Sequence, residues 1–168
     1  MTPAAETLAR TRTFSWQDPL ETAAHGLALA GLEFVRAIAD GTLAPPPVAE
    51  ALGLSIVEVE EGRVVFALDP EEWMYNPIGS VHGGVLATLL DSCMGCAVHT
   101  TLPPGVGYTT TDLQVRYLRA VRNTTGRVLG EGRVVHSGSR TATAEGRLLV
   151  DAHGALIAHA STGCAILR

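Results

Sequence analysis

The positions of apolar and polar residues divide the chain into an amphipathic stretch, a hairpin, a nearly all-apolar run and a long alternating tail. Residues 1–16 show no periodicity and are expected to be loose. From Leu20 to Ala39 apolar or small residues recur at roughly helical spacing, at Leu20, Leu27, Gly31, Val35 and Ile38, and Gly41 follows as a stop. The pattern predicts one amphipathic helix that runs into a proline linker, APPP, at residues 44–47. The next segment, LSIVEVEEGRVVFAL, alternates around Glu61-Gly62, as two strands joined by a tight turn would.

Residues 82–99 differ from everything before them. His82-Gly83-Gly84 opens a long run in which apolar residues surround the helix axis instead of marking one stripe, which predicts a helix buried all round. From Tyr108 onward, YTTTDLQVRYL, GRVLGEGRVVHSG, SRTATAEGRLLVD and GALIAHASTGCAIL are β-branched, alternating segments separated by Gly, Asn and Ser turns. They predict four antiparallel strands. The expected fold class is α+β, an antiparallel sheet wrapped around a central buried helix, with an extra N-terminal helix. A chain of 168 residues supports one such core and not two.

Charge adds one feature. The net charge of -5 hides an asymmetry: residues 1–112 carry four Arg against fourteen acids, and residues 113–168 carry eight Arg against three acids. The C-terminal part therefore suits a small polyanion, whereas a nucleic-acid binder would be more basic overall. The run HGLALAGLEFVRAI is interrupted by Glu33 and Arg36 and is too short to span a membrane. With no secretion signal and an odd number of cysteines, Cys93, Cys96 and Cys164, the expectation is a soluble cytoplasmic protein with reduced thiols.

Metal and cofactor signals are weak. Cys93 and Cys96 form a C-x-x-C without a second pair or suitably spaced His, and His153 and His159 open no metal motif, so no metal or cofactor is expected. GEGRVVHSG opens no helix and is not a phosphate loop.

The chemistry concentrates on Asp91. It lies in the middle of the apolar helix, where it cannot act as an N-cap, and no Lys, Arg or second acid lies within a turn of it. An unpaired buried carboxylate costs several kcal/mol, so this one must meet polar groups from elsewhere or face a water-filled site. Upstream stand Asn76, Gly79 and His82-Gly83-Gly84, and the spacing N-x-x-G-x-x-H-G-G-x(6)-D resembles the signature of the PaaI-like acyl-CoA thioesterases of the hotdog fold. The resemblance covers roughly residues 50–168. It divides the chain into an N-terminal extension, 1–47, and a hotdog domain, 48–168.

Thioester hydrolysis needs an activated water or a carboxylate nucleophile, and donors for the charge that develops on the thioester oxygen. Asp91 offers the first. The amides of Gly83 and Gly84, at a helix N-terminus, offer the second. Gly83 and Asp91 are eight residues apart on one helix, about 12 Å of rise, too far to touch one carbonyl centre. A two-fold dimer that joins the helix start of one chain to the mid-helix acid of the other resolves this. The resemblance implies the same dimer, which in the family often pairs into a dimer of dimers.

The resemblance also implies residue roles. Asp91 would be general base or nucleophile, the Gly83 amide with Asn76 would polarise the thioester, and His82 would hold the loop or help position the thioester. Thr110 would orient water, although three consecutive threonines, 109–111, mean that a one-residue bulge decides which of them faces the site. Coenzyme A would lie along YLRAV (117–121) and HSGSR (136–140), with Gly84, Tyr117, Arg119, Ser137, Gly138, Ser139 and Arg140 as contacts. Two other readings fit the residues: a hotdog hydratase or dehydratase, and a non-catalytic acyl-CoA binding module.

Overall fold

The computed structural model describes residues 9–168. Its elements in chain order are α1 (Pro19–Leu27), α2 (Gly31–Ala39), α3 (Pro47–Leu52), β1 (Leu54–Glu60), β2 (Arg63–Leu68), a single 3-10 turn (Glu72–Met74), α4 (Gly83–His99), β3 (Gly107–Tyr117), β4 (Val128–Ser137), β5 (Thr141–Val150) and β6 (Leu156–Leu167). The strands form one antiparallel sheet in the order β1-β2-β4-β5-β6-β3. Strand pairing follows from the alternation: on β5 the even positions Ala142, Ala144, Gly146, Leu148 and Val150 are buried and the odd ones face outward, apart from half-buried Leu149.

The buried face closes on α4. Leu86, Leu89, Leu90, Met94 and Val98 pack with Val64, Leu68, Val128, Leu148 and Ile157 of the sheet. Contact is close because glycine permits it: a Cβ on Gly132 of β4 would collide with the Cys93 carbonyl, and one on Gly146 of β5 would lie 2.9 Å from the Met94 sulfur. These glycines inside the strands are thus the seats of the helix. No described helix is long and apolar enough to cross a membrane.

Four local expectations change. The helix expected over 20–39 is two helices with a corner at 28–30, because the Gly31 amide donates to the Leu102 carbonyl at 3.0 Å while the Leu27 carbonyl accepts from Gly105 at 2.9 Å. An unbroken helix would pair Gly31 with Leu27, and the 102–105 loop has taken both groups. The proline stretch is not only a linker, since Pro47 starts α3 at a position where its missing N–H costs nothing, and Gly53 ends the helix in the left-handed region at φ 69°.

The third change is at the N-terminus. Residues 1–8 lie outside the described residues, but 9–18 are anchored: the Arg12 guanidinium stacks 4.0 Å from the Trp73 ring centroid and donates to the Ala51 carbonyl. The fourth concerns α4, which is not buried all round. Gly84 is exposed, and Ala87, Thr88, Asp91 and Ser92 are half-buried, so one side of the helix stays open. That open side holds the chemistry.

Candidate active site

Asp91 projects from the open side of α4, and the hydroxyl of Thr110 on β3 donates to its Oδ1 at 2.8 Å. No other group among the described residues hydrogen-bonds this carboxylate. The threonine reaches it through a bulge. The pairing of β3 with β6 slips between Thr110 and Asp112, leaving Thr111 as the extra residue. Thr110 and Tyr117 are seven residues apart and strict alternation would put them on opposite faces, yet both turn toward α4. Of the three consecutive threonines, the bulge selects Thr110.

Beyond Asp91 lies a cavity of about 490 Å³, bounded by α2, the β1–β2 hairpin, α4 and the start of β3. Its walls include Phe34, Ile38, Ile56, Phe66 and Tyr108, none of which the sequence pattern marks as site residues. The one available signal was the spacing of Phe34 and Ile38, one turn apart and both half-buried beside fully buried Val35. Cys96 also faces this cavity, and burial pushes its thiol up to about 12. Cys93 is fully buried, and its thiol is raised by burial as well. Both are inert thiols at neutral pH. Among the described residues no group of three or more His, Cys, Asp or Glu side chains converges as a metal site.

The start of α4 forms a second, separate pocket of about 350 Å³, lined by Asn76, Gly83, Tyr117 and Arg119 among others. His82 is the N-cap, and its Nδ1 accepts the Gly84 amide at 2.9 Å. The Gly84 donor expected for substrate is therefore committed to His82. The Gly83 amide donates to nothing among the described residues, so it alone remains from the glycine pair. Tyr117 fixes this turn by donating to the Gly83 carbonyl at 2.7 Å, its phenol held above the usual value by burial. A Cβ on Gly83 would come within 3.3 Å of the same ring.

Asn76 organises the loop before the helix. Its Oδ1 accepts from the Ile78 amide at 3.1 Å and the Ser80 amide at 3.2 Å, and its Nδ2 donates to the Ser80 hydroxyl at 3.1 Å. A primary amide has two N–H groups, so one is left over on a residue that lines the same pocket as Gly83.

The expected coenzyme contacts do not gather in one protomer. Arg119 lies beside the N-terminal end of α4, with its Nε donating to the Leu156 carbonyl at 3.1 Å. Ser137 lies by the opposite end, its hydroxyl 3.0 Å from that of Thr101, and Gly138, Ser139 and Arg140 follow it around the β4–β5 turn, closed by the Gly138 amide on the Thr141 carbonyl at 2.9 Å. The 17 residues of α4 put roughly 25 Å between its ends.

Comparison with known proteins agrees with this architecture. Residues 78–157 match the thioesterase superfamily. A Halobacterium salinarum protein named as an esterase is 36% identical over 99 residues, which are 56% of this chain and 64% of that protein, so the chain spans under two thirds of this relative's length. A phenylacetic acid degradation-related protein from Ralstonia eutropha JMP134 superposes with a TM-score of 0.70 at 29% identity, covering 77% of this chain and 97% of the other. The PaaI protein of E. coli shares the fold, with a TM-score of 0.71 at 21% identity over 83% of this chain and 96% of that one.

Proposed function

From the premise that this is a hotdog-fold chain of the PaaI-like kind with a thioesterase-superfamily match over residues 78–157, we propose that it hydrolyses acyl-CoA thioesters to free acid and CoA. The observation that carries the reading is the Thr110–Asp91 pair on the wall of an apolar cavity. Thr110 occupies Oδ1 and fixes the carboxylate, which leaves Oδ2 to take the proton of an attacking water or to attack directly.

The negative charge that develops on the thioester oxygen needs donors placed in advance. The free Gly83 amide supplies one at the positive end of the α4 dipole, and the spare Asn76 N–H supplies another. His82 acts by position: it caps the helix and consumes the Gly84 amide, so that the oxyanion meets the Gly83 amide.

The two halves line different pockets of one chain, so the working site is assembled from two protomers. The edge strand β3 is the natural seam. It runs antiparallel to α4, with Thr110 beside Asp91 and Tyr117 beside Gly83, so two-fold pairing of two β3 edges sets the Gly83 end of one protomer against the Asp91 end of its partner. The same operation brings Arg119 of one protomer toward the Ser137–Arg140 turn of the other, two cationic ends for the coenzyme phosphates.

Thiol release from acyl-CoA by Asp91→Asn tests the reading. The amide keeps the size of the side chain and can still accept from Thr110, so folding and dimerisation persist while kcat falls at least about a hundredfold, the scale of lost general-base catalysis. A folded Asp91→Asn dimer that turns over at the wild-type rate rejects it.

A further inference from the structure

Helices α1 and α2 lie outside the stretch that matches the thioesterase superfamily, yet they close the cavity beyond Asp91. The closure is built, not incidental. Val35 anchors α2 in the core at 1% exposure, and the Phe34 ring packs 5.2 Å from His99 of α4. On its other side Gly26 of α1 lies flat against Phe34, where a Cβ would come within 2.5 Å of the ring. Phe34 and Ile38 then face the cavity from one side of the helix, opposite Ile56 and Phe66, which are register partners across the β1–β2 hairpin.

The lining identifies the occupant. It contains no arginine, and Asp91 is its one acidic residue, so a phosphate entering here would meet a carboxylate and no compensating cation. An uncharged pantetheine arm would leave its two amides facing mostly hydrocarbon. An apolar group suits the walls formed by Phe34, Val35, Ile38, Leu54, Ile56 and Phe66, with Thr22, Ser55, Ser92 and His99 as scattered polar positions, and the volume of about 490 Å³ is within the roughly 300–1,000 Å³ of small-molecule sites. Burial also lowers the pKa of His99, which keeps that wall neutral.

We propose that α1 and α2 form an acyl-selecting roof: the apolar body of the acyl group enters this cavity from the thioester carbon at Asp91, and Phe34 with Ile38 sets the largest group accepted. The selecting surface belongs to the same protomer as Asp91, and the proposal rests on the thioesterase reading of that residue. Each methylene buried in such a pocket favours the transition state by about three- to fourfold in kcat/KM, from the transfer free energy of a CH₂ group, until the roof is reached.

The test is a panel of acetyl-, butyryl-, hexanoyl-, octanoyl- and phenylacetyl-CoA, assayed by thiol release with wild type, Ile38→Trp and Ile38→Ala. Wild type should gain with each added methylene. Ile38→Trp fills the cavity and should lower octanoyl- and phenylacetyl-CoA turnover at least about tenfold relative to butyryl-CoA, while Ile38→Ala moves the optimum to a larger group. The octanoyl and phenylacetyl arms separate a chain-shaped from a ring-shaped preference. If wild type hydrolyses the panel and both variants keep its relative profile, the roof is wrong and the thioesterase reading stands. If wild type hydrolyses none of these esters, the thioesterase reading fails first. Should Ile38→Trp fail to fold, Ile38→Ala decides alone, because its shift has the opposite direction.

Discussion

Replacing Thr110 with Val isolates what the β3 bulge contributes to the site. The substitution keeps the branched shape and χ1 preference of the side chain and removes only the hydroxyl that donates to Asp91 at 2.8 Å. A hydrogen bond to a charged acceptor contributes about 1.5–3 kcal/mol. If all of it held the carboxylate in its reactive orientation, kcat would fall about 10- to 150-fold. Only the part gained on the way to the transition state appears in kcat, so a loss near the lower end, about tenfold, is expected. KM for acyl-CoA should stay nearly constant, because Thr110 contacts the acid and not the coenzyme. Stability should fall by about 1 kcal/mol, since the freed oxygen faces a cavity that admits water.

Thiol-release kinetics and urea midpoints on Thr110→Val and Thr110→Ser decide the matter together. Serine restores the hydroxyl without the methyl group, so it should recover most of the lost turnover. A Val variant with wild-type kcat refutes the positioning argument. So does a Ser variant as impaired as Val, which would assign the loss to packing of the methyl group.

Other consequences follow from the same geometry. Gly132→Ala places a methyl group against the Cys93 backbone and should cost about 1–3 kcal/mol or more by urea denaturation, whereas Gly107→Ala, whose nearest neighbour would be Leu167 at 4.0 Å, should change little. Burial lowers the His99 pKa below its ordinary 6.5, so the unfolded chain binds a proton that the native chain refuses. Stability should therefore fall as pH drops through about 6.5 toward the folded value, and His99→Phe should flatten that slope; coincident slopes would count against the burial argument. Arg119→Ala and Arg140→Ala should each raise KM for acyl-CoA with kcat nearly unchanged and weaken its salt dependence, and an unaltered KM would remove that arginine from the coenzyme site.

How far the sequence revealed the fold depended on whether a signal was local. The strands were legible because one face of the sheet is buried, and burial imposes alternation on residues such as 142–150. The α4 start was legible because His82-Gly83-Gly84 opens a long apolar run without a breaker. The corner at 28–30 was not legible. It depends on Gly31 bonding to Leu102, a partner 71 positions along the chain that no periodicity in 20–39 encodes. The fate of the Gly84 amide was hidden for a different reason: His82 Nδ1 reaches it only in one side-chain rotamer, and sequence does not carry χ angles. The cavity walls were missed because Phe34, Ile56 and Phe66 look like ordinary core positions until three elements are assembled around a space.

The separation of Gly83 from Asp91 follows from their places on one helix. Within a helix, unpaired amides exist only in the first turn, whereas Asp91 faces the cavity from mid-helix together with Ser92, Cys96 and His99 of the turns that follow. A fold with one central helix has one such N-terminus, and within a protomer it lies about 12 Å away from the acid. The sheet edges correspond to this need. Strand β1 is bulged between Ile56 and Glu58, carries Glu58 and Glu60, and is packed by α2 and α3. Strand β3 carries no proline along its 11 residues, its charges Asp112 and Arg116 are of opposite sign, and its bulge near one end leaves 112–117 regular. Natural sheets protect edges that must stay single, and here α2 and α3 cover β1 while the outer edge of β3, the strand that holds Thr110 and Tyr117, has no strand paired to it, as the proposed two-fold pairing requires. A charged substitution on the outward face of that edge, Gln114→Lys, is thus expected to weaken self-association and thiol release together, and a monomer that retained full turnover would break the link between them.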